Sequence, residues 1–284
     1  MHPDILVVIV TYKSERYILK CLSDVLKQDL PCDIMIIDNN SKDNLSKIVT
    51  QLNHSNISLV LNDTNYGYAS AVNQGLQRAL EIGYKYVFVA NPDIEIDNAQ
   101  TLSTLVGSFD NDPNIGAVGP HVIQVSWGEY NNSDNRSIEE VSWISGCGIM
   151  LTRDSIEKVG FFDEDYFLYF EESDYLRRLS RNGIKIVKNN SAIIKHLGGA
   201  STNGMPTKCY YYMIRNIFLF SKKNVLKFNI SKGVSEIVWQ LRNKFYFPMH
   251  PFRLLAFVLG VLSGLVILFI PNYKIFTRQN DNSY

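Results

Sequence analysis

The sequence has little cysteine and no segment typical of exported proteins. Its four cysteines, among 284 residues, form no Cys-x-x-Cys pair and have no histidine at zinc-ligand spacing, which argues against a zinc site. This usage indicates reduced thiols in a cytosolic compartment. The first apolar run, residues 5–10, is too short for a signal peptide and follows an aspartate rather than a basic cluster.

The sequence also lacks net charge, internal repeats and low-complexity tracts. Its 28 basic residues balance 28 acidic ones, and 46% of its residues are hydrophobic, as in a globular protein and unlike a disordered chain. The balance conceals a division, because residues 201–284 contain eleven basic and two acidic residues, a net charge of +9. Residues 1–200 must therefore carry −9. Opposite charge in the two parts suggests that they have different roles.

Apolar β-branched runs alternate with helical periodicity over the first 90 residues. The runs at residues 5–10, 34–37, 57–61 and 86–90 predict strands, and the segments between them repeat apolar residues at helical spacing. This alternation predicts an α/β fold with a mostly parallel sheet and helices on both faces. Ligands of such sheets bind beyond the carboxyl ends of the strands.

Polar side chains follow three of these strands. Thr11 and Tyr12 end the first strand, Asp38 the second, and Asn91 and Asp93 the fourth. Carboxylates at such an edge suit a hard divalent cation and the hydroxyl or imide groups of a nucleotide. Alternatively, each aspartate only caps the helix that follows it. The clustering of five polar residues at one edge favours a ligand site.

An unusual block, residues 161–174, mixes six carboxylates with six aromatic residues. A run of charge is ordinarily a solvated face, but these aromatics must be buried, which draws the carboxylates toward an apolar wall and raises their pKa. Such a carboxylate beside a cleft is a candidate general base. Glu172 also precedes a predicted helix from Asp174 to Arg181, whose N-terminus favours the ionised form. The sequence leaves the balance of these effects open.

His196 follows two short predicted strands, residues 184–187 and 192–194. A lone histidine is more often structural than functional. Gly198 and Gly199 follow it, however, and glycine lets the backbone approach a ligand closely. His196 is therefore a candidate ligand of a metal or a phosphate.

Together these motifs resemble the inverting glycosyltransferases of family 2, which have the GT-A fold, and in particular the rhamnosyltransferase-like branch that builds bacterial surface polysaccharides. The similarity covers about residues 4–225, and its motifs occur in the family's order. They are Val10-Thr-Tyr12, Asp38-Asn-Asn-Ser41, Asn65-x-Gly-x-Ala-x-Ala-x-Asn73, Asn91-Pro-Asp93, Gly148 to Arg153, Phe162-Asp-Glu164, Tyr169-Phe-Glu-Glu-x-Asp174 with Arg178 and Gly183, and His196-x-Gly-Gly199.

The resemblance implies a donor site for a nucleotide sugar. Its implied residues are Thr11, Tyr12, Asp38, Asn65, Asn73, Asn91, Asp93 and Arg153. Asp38 would contact the nucleobase and Tyr12 would stack on it. Asp93 would bind a divalent metal, Mg²⁺ or Mn²⁺, on the diphosphate. Asn91 replaces the first aspartate of the family's metal-binding motif and removes one charge, so the metal would either be held more weakly or depend on His196.

The resemblance also implies a carboxylate base. Family members commonly have Glu-Asp where this chain has Glu171-Glu172, so Glu172 is the expected catalytic base and Asp174 the alternative. The leading donor is dTDP-rhamnose, with UDP-hexoses and UDP-hexosamines as alternatives. The expected acceptor is a lipid-linked glycan or polysaccharide, as in O-antigen or capsule synthesis. No nucleic-acid partner is expected, and a homodimer is left open.

Residues 254–270 form a run of 17 residues without a charge. As a helix this run would extend about 26 Å, the lower limit for crossing a bilayer. The basic segment before it would attract anionic lipid, although a buried helix of a soluble fold would have the same composition. We expect association with the cytoplasmic face of the bacterial inner membrane, either peripherally or through a C-terminal anchor.

These observations divide the chain into three parts. Residues 1–205 would form the GT-A catalytic domain, with nucleotide-sugar binding in about residues 1–100 and the acceptor and catalytic residues in 101–205. Residues 206–250 would form a basic helical extension, and residues 251–284 the segment that associates with the membrane.

Two other classes of protein remain open. A nucleotidyltransferase that makes activated sugars has a similar sheet, but it carries a glycine-rich phosphate loop after its first strand, where this chain has Thr11-Tyr-Lys-Ser-Glu15. A non-catalytic carbohydrate-binding relative would explain why Asn91 and Glu172 depart from the family's commonest pattern.

Overall fold

The computed structural model describes residues 2–125, 137–198, 206–227, 229–244 and 250–269; Gly199 and Ile270, named above, lie outside them. The strands are β1 (Ile5–Thr11), β2 (Cys32–Asp38), β3 (Ile57–Leu61), β4 (Tyr86–Ala90), β5 (Ile94–Glu95), β6 (Ile115–Gln124), β7 (Ile138–Glu140), β8 (Gly148–Thr152) and β9 (Lys185–His196). The helices are α1 (Glu15–Leu26), α2 (Leu45–Leu52), α3 (Tyr68–Ile82), α4 (Thr101–Gly107), α5 (Arg153–Val159), α6 (Glu171–Arg181), α7 (Pro206–Ser221), α8 (Ile230–Lys244) and α9 (Pro251–Phe269).

The first four strands form the parallel half of one sheet, in the order β3-β2-β1-β4. Every residue of β1 is buried, because helices cover both faces of the sheet. Cores lie on both sides of β1: Ile18 and Leu22 of α1 pack on one face, and Val72 and Leu76 of α3 on the other. The predicted alternation of strands and helices is confirmed here.

The second half of the sheet is mixed rather than parallel. β8 runs antiparallel to β4 and to β6, β9 runs parallel to β6, and β5 and β7 pair antiparallel with β9. The two short strands predicted before His196 are one strand, β9. Pro120 of β6 pairs with Asn189 of β9, but the next residue, His121, pairs with Ile193, so the register shifts at this point. This irregularity accommodates the polar residues that divide the apolar pattern in the sequence.

In the part of the chain that the structure describes, α7, α8 and α9 follow the sheet, and α7 packs against both α8 and α9. Gly260 and Gly264 of α9 face α7, where an added Cβ would lie 2.8 Å from Ile214 and 2.2 Å from Phe218. The two glycines of α9 therefore allow its close packing on α7 within the chain. Among the described residues, α9 is the one helix long and apolar enough to cross a membrane, and most of its surface is not buried in the protein. The exposed residues include Phe252, Leu255, Leu262 and Phe269.

Candidate active site

A cavity of about 340 Å³ opens at the carboxyl ends of β1 and β4. Its walls come from both halves of the sheet and from the aromatic segment before α6. The residues that decide its chemistry are Tyr12, Asn39, Asn65, Tyr68, Asn91, Asp93, Trp143, Glu171, Glu172 and His196. Of the predicted site residues, it thus brings together Tyr12, Asn65, Asn91, Asp93, Glu172 and His196.

Asp93 and His196 form the polar centre of one wall. The antiparallel pairing of β5 with β9 brings His196 opposite Ile94, so that its Nε2 lies 3.3 Å from Oδ1 of the buried Asp93. His196 Nδ1 lies 2.9 Å from the amide oxygen of Gln124 and must donate to it, since that oxygen only accepts. Nε2 also lies 3.4 Å from Asn91 Nδ2, and it is the ring nitrogen that a metal would bind in its deprotonated form.

This wall fits a divalent cation with two protein ligands. Adjacent ligands of an octahedral ion bonded at about 2.1 Å lie roughly 3 Å apart, close to the 3.3 Å between Asp93 and His196. A neutral Nε2 whose other ring nitrogen donates to an oxygen is the usual metal-binding form of histidine. In the described parts of the chain, no group of three His, Cys, Asp or Glu side chains forms a cage. A cation here would depend on diphosphate oxygens and water for its other ligands.

Glu172 lines the same cavity from the first turn of α6. Trp143 Nε1 donates to its Oε1 at 3.3 Å, and Ser173 Oγ donates to the same oxygen at 2.9 Å. No described residue donates to Oε2. A Cβ at Gly146 would lie 3.3 Å from Glu172 Cγ, so glycine lets the neighbouring loop approach this side chain closely. The arrangement leaves one carboxylate oxygen able to accept a proton.

Glu171 is the buried neighbour of Glu172. It is 6% exposed, and its Oε2 has no hydrogen-bond partner among the described residues. Burial raises the pKa of Glu171 well above its usual value, and the charge of Glu172 adds to the rise. The pKa increase predicted for this acidic-aromatic block thus occurs at Glu171.

Thr11 and Asp38 lie behind the cavity wall rather than on it. Both are buried, and Thr11 Oγ1 donates to Asp38 Oδ1 at 3.1 Å. The Asp38 carboxylate also accepts from the backbone N–H of Ser41 at 3.0 Å and from the Ser41 hydroxyl. The expected contact between Asp38 and a nucleobase is therefore not preformed, and Asp38 fixes the turn after β2 instead.

Asn73 and Arg153 do not reach the cavity, contrary to prediction. The Asn73 side chain is bonded in both directions to the backbone of Phe162, at 2.9 Å each, which joins α3 to the loop before α6. Arg153 follows β8, which runs antiparallel to β4. Its backbone N–H therefore donates to the carbonyl of Lys85, at the end of the strands opposite the cavity. Its side chain pairs with Glu157 at 2.7 Å.

Asp174 is also directed away from the cavity. Its carboxylate is 3% exposed and pairs with Arg178 at 2.8 Å, while Asn224 Nδ2 donates to its other oxygen at 2.7 Å. Asp174 lies two residues after Glu172 on the same helix, so the two side chains cannot share a face. The geometry favours Glu172 over Asp174 as the base.

Four of the ten cavity residues named above, Asn39, Tyr68, Trp143 and Glu171, were not predicted as site residues. Asn39 and Glu171 were recognised only as parts of motifs. The hydroxyl of the half-buried Tyr68 donates to Asn91 Oδ1 at 3.2 Å, which orients the amide that contacts His196. Tyr68 follows Gly67 inside the recognised Asn65 motif, a signal that could have identified it. Trp143 lies outside every motif, and only the fold brings it to Glu172.

The sequence profile of the glycosyl transferase family 2 matches residues 6–176, more than half of the chain. This chain belongs to glycosyl transferase family 2. The match extends from β1 into α6 and includes Asp93 and Glu172, whereas His196 lies beyond it.

Two curated relatives are rhamnosyltransferases. The N-acetylglucosaminyl-diphospho-decaprenol L-rhamnosyltransferase of Mycobacterium tuberculosis is 26% identical over 241 residues, 70% of this chain and 78% of the relative. The dTDP-rhamnosyl transferase RfbF of Shigella flexneri is 25% identical over 298 residues, 93% of this chain and 98% of the relative. The resemblance to the rhamnosyltransferase-like branch is thereby confirmed.

Solved structures show the same fold. Residues 1–349 of S. aureus TarS match with a TM-score of 0.65 and 17% identity, over 94% of this chain and 81% of that fragment. The mannosyltransferase PcManGT of Pyrobaculum calidifontis, solved with GDP-Man and Mn²⁺, matches with a TM-score of 0.60 and 14% identity, over 94% and 87%. The GT-A fold is confirmed, and the family 2 glycosyltransferase is an enzyme rather than a binding module or a nucleotidyltransferase.

Proposed function

We propose that this glycosyltransferase moves rhamnose from dTDP-rhamnose, with inversion, to a hydroxyl of a lipid-linked glycan in the synthesis of a bacterial surface polysaccharide. The two rhamnosyltransferase relatives support the sugar, and the name of one includes a diphospho-decaprenol. The observation that carries the proposal is that Asp93 and Glu172 line the same cavity.

The wall formed by β1, β4 and β9 holds the donor. Tyr12 and Asn65 line this wall, where the Tyr12 ring would stack on the nucleobase. Asp93 and His196 would hold Mg²⁺ or Mn²⁺ beside the diphosphate. The cation, when bound, supplies positive charge that stabilises the departing nucleoside diphosphate.

Glu172 acts on the acceptor from the first turn of α6. Its carboxylate takes the proton of the acceptor hydroxyl as that oxygen bonds to C1 of the sugar. The bond between C1 and the diphosphate oxygen breaks, and its electron pair leaves with the nucleoside diphosphate. Attack from the face opposite the leaving group inverts C1, and no covalent sugar–enzyme intermediate forms. During this transfer Trp143 and Ser173 donate hydrogen bonds to Oε1 of Glu172, the carboxylate oxygen that does not take the proton.

The C-terminal helices bring the enzyme to the cytoplasmic face of the inner membrane. One face of α9 packs on α7, and most of the helix surface is left for lipid. α8 adds exposed Ile230, Val234 and Trp239, and the segment is basic. Apolar surface beside positive charge is the combination that binds anionic bilayers.

A thermal-shift panel tests the donor. The full-length protein is heated with dTDP-rhamnose, UDP-glucose, UDP-N-acetylglucosamine and GDP-mannose, each with and without Mn²⁺. We expect the largest shift with dTDP-rhamnose and Mn²⁺, and transfer to a synthetic N-acetylglucosaminyl diphospholipid. The largest shift with a UDP-sugar identifies a hexose or hexosamine transferase instead. If the protein releases a free nucleoside diphosphate from none of these sugar nucleotides, the proposal that it is a catalytic transferase is wrong.

Vesicle sedimentation tests the membrane location. We expect the full-length protein to sediment with phosphatidylglycerol vesicles at low salt and to remain partly bound at high salt, because apolar burial is not screened. A protein that stays wholly in the supernatant without detergent contradicts this proposal.

A further inference from the structure

The segment that leads into Glu172 has a strained backbone. Tyr169 and Phe170, directly before α6, have φ values of 70° and 73°, the left-handed region that favours glycine. Two consecutive non-glycine residues in this conformation persist only when surrounding contacts impose it. The backbone carbonyl of Phe170 accepts from the N–H of Asp174 at 2.9 Å, so this segment also fixes where the first turn of α6 begins.

The contacts that impose this conformation come from α7. Asn216 is fully buried, and its Nδ2 donates to the backbone carbonyls of Leu168 at 2.9 Å and Tyr169 at 2.8 Å. Arg215 Nε donates to Asn216 Oδ1 at 2.8 Å. Because arginine only donates, it holds the amide oxygen on its own side and directs both N–H groups of the amide at the strained segment.

A second contact fixes the same segment further upstream. Arg215 Nη2 donates to the backbone carbonyl of Asp165 at 2.8 Å. The Phe167 ring stacks on Tyr212 of α7, with centroids 4.6 Å apart. Phe167 and Tyr169 themselves line the cavity. The wall that carries Glu172 is thus held by α7 and not only by its own helix.

We propose that Asn216 is a positioning residue for the general base: it holds the Leu168–Phe170 backbone so that the first turn of α6 presents Glu172 to the acceptor hydroxyl. This inference rests on the proposed role of Glu172. Asn216 itself does not line the cavity and touches no reacting atom.

Three substitutions of Asn216 remove its two hydrogen bonds to the strained segment to different extents. Asn216→Asp keeps the shape but lacks both N–H donors, Asn216→Ser keeps one hydroxyl donor, and Asn216→Ala removes both. The control is Tyr211→Phe, which removes a bond from α7 to Ser263 of α9 without touching the strained segment. We expect kcat to fall about 10- to 10²-fold in the Ala and Asp variants, since misplacement by about 1 Å has such effects. The Ser variant should be intermediate, and the Km for dTDP-rhamnose should change less than about twofold in each.

A double-mutant cycle separates positioning from a general structural loss. If Asn216 acts through Glu172, Asn216→Ala has little further effect on kcat once Glu172 is changed to glutamine. The positioning role is wrong if Asn216→Ala lowers kcat by the same factor with and without Glu172→Gln, or by no more than Tyr211→Phe does. Either result leaves the proposed role of Glu172 as the base unaffected. Full activity of Glu172→Gln overturns the proposed base. If the Ala and Asp variants do not fold, the Ser variant in the same cycle decides the question.

Discussion

His196 Nε2 and Asp93 Oδ1 lie 3.3 Å apart in the lining of a cavity that Glu172 also lines. The two partners are 103 positions apart in the chain, and only the antiparallel pairing of β5 with β9 joins them. The relationship supports a diphosphate-bearing donor and an acceptor in the same cavity.

The metal-binding role predicts a loss of cation-dependent nucleotide binding. Asp93→Asn removes the charged metal ligand. The gain in dTDP affinity that Mn²⁺ provides should therefore fall at least about 10²-fold, because even residues that only bond to a metal's ligands contribute 10- to 100-fold to metal affinity. Titration calorimetry with and without Mn²⁺ measures this. Asp97→Asn is the control, because Asp97 is 63% exposed and pairs with Lys195 outside the cavity. Equal losses in both variants would contradict the metal site.

The catalytic role predicts different effects for two carboxylates of α6. Glu172→Gln should lower turnover by at least about 10²-fold, the usual size of general-base effects, with donor affinity unchanged. Asp174→Asn should keep kcat but lower the free energy of unfolding by about 2 kcal/mol, since it weakens hydrogen bonds to a charged group. Steady-state kinetics and urea unfolding check the pair. A catalytic defect in Asp174→Asn with normal stability would reverse the assignment.

The parallel half of the fold could be predicted from sequence because buried parallel strands are continuous apolar runs, and polar residues at their ends mark one edge of the sheet. That reasoning correctly placed Tyr12, Asn91 and Asp93 at the cavity. Arg153, which only the resemblance assigned to the donor site, follows a strand of the second half, where strand direction depends on pairing that no local pattern encodes.

Motif membership does not separate residues that bind ligand from residues that support the wall. Asn73 and Asp38 both belong to recognised motifs, yet each is saturated by hydrogen bonds inside the protein. An amide or a carboxylate that stabilises a loop and one that binds a nucleotide have the same sequence signal. Trp143 was missed for the converse reason: its partner, Glu172, is 29 residues away and in no shared motif.

The buried Glu171 predicts a specific pH dependence of stability. Its pKa is raised in the folded state, so above the pKa of about 4.3 for an unfolded glutamate the native state binds more protons than the unfolded state. This group's contribution to stability therefore decreases as pH rises from about 4 toward the folded pKa. Glu171→Gln removes that dependence and should be more stable than the wild type at pH 7, but not at pH 4.

Urea unfolding across this pH range tests Glu171. The control Glu157→Gln changes an exposed carboxylate paired with Arg153 and should shift stability little at either pH. A Glu171→Gln variant that is less stable than the wild type at pH 7 would show that the carboxyl group is ionised and held by contacts.

The packing of α9 on α7 predicts that Gly264 cannot be enlarged without cost. A Cβ there would lie 2.2 Å from the Phe218 ring, and Phe218 is 2% exposed and has little room to move. Gly264→Ala should lower the free energy of unfolding in mild detergent by about 1–3 kcal/mol, as overpacking does. Gly107→Ala is the matched control, because an added Cβ at this helix end meets no atom within 4 Å, and its effect should be neutral or stabilising. Circular dichroism melts compare the two variants. Equal melting temperatures would mean that α9 does not pack on α7 in detergent, and membrane attachment would then be independent of the catalytic domain.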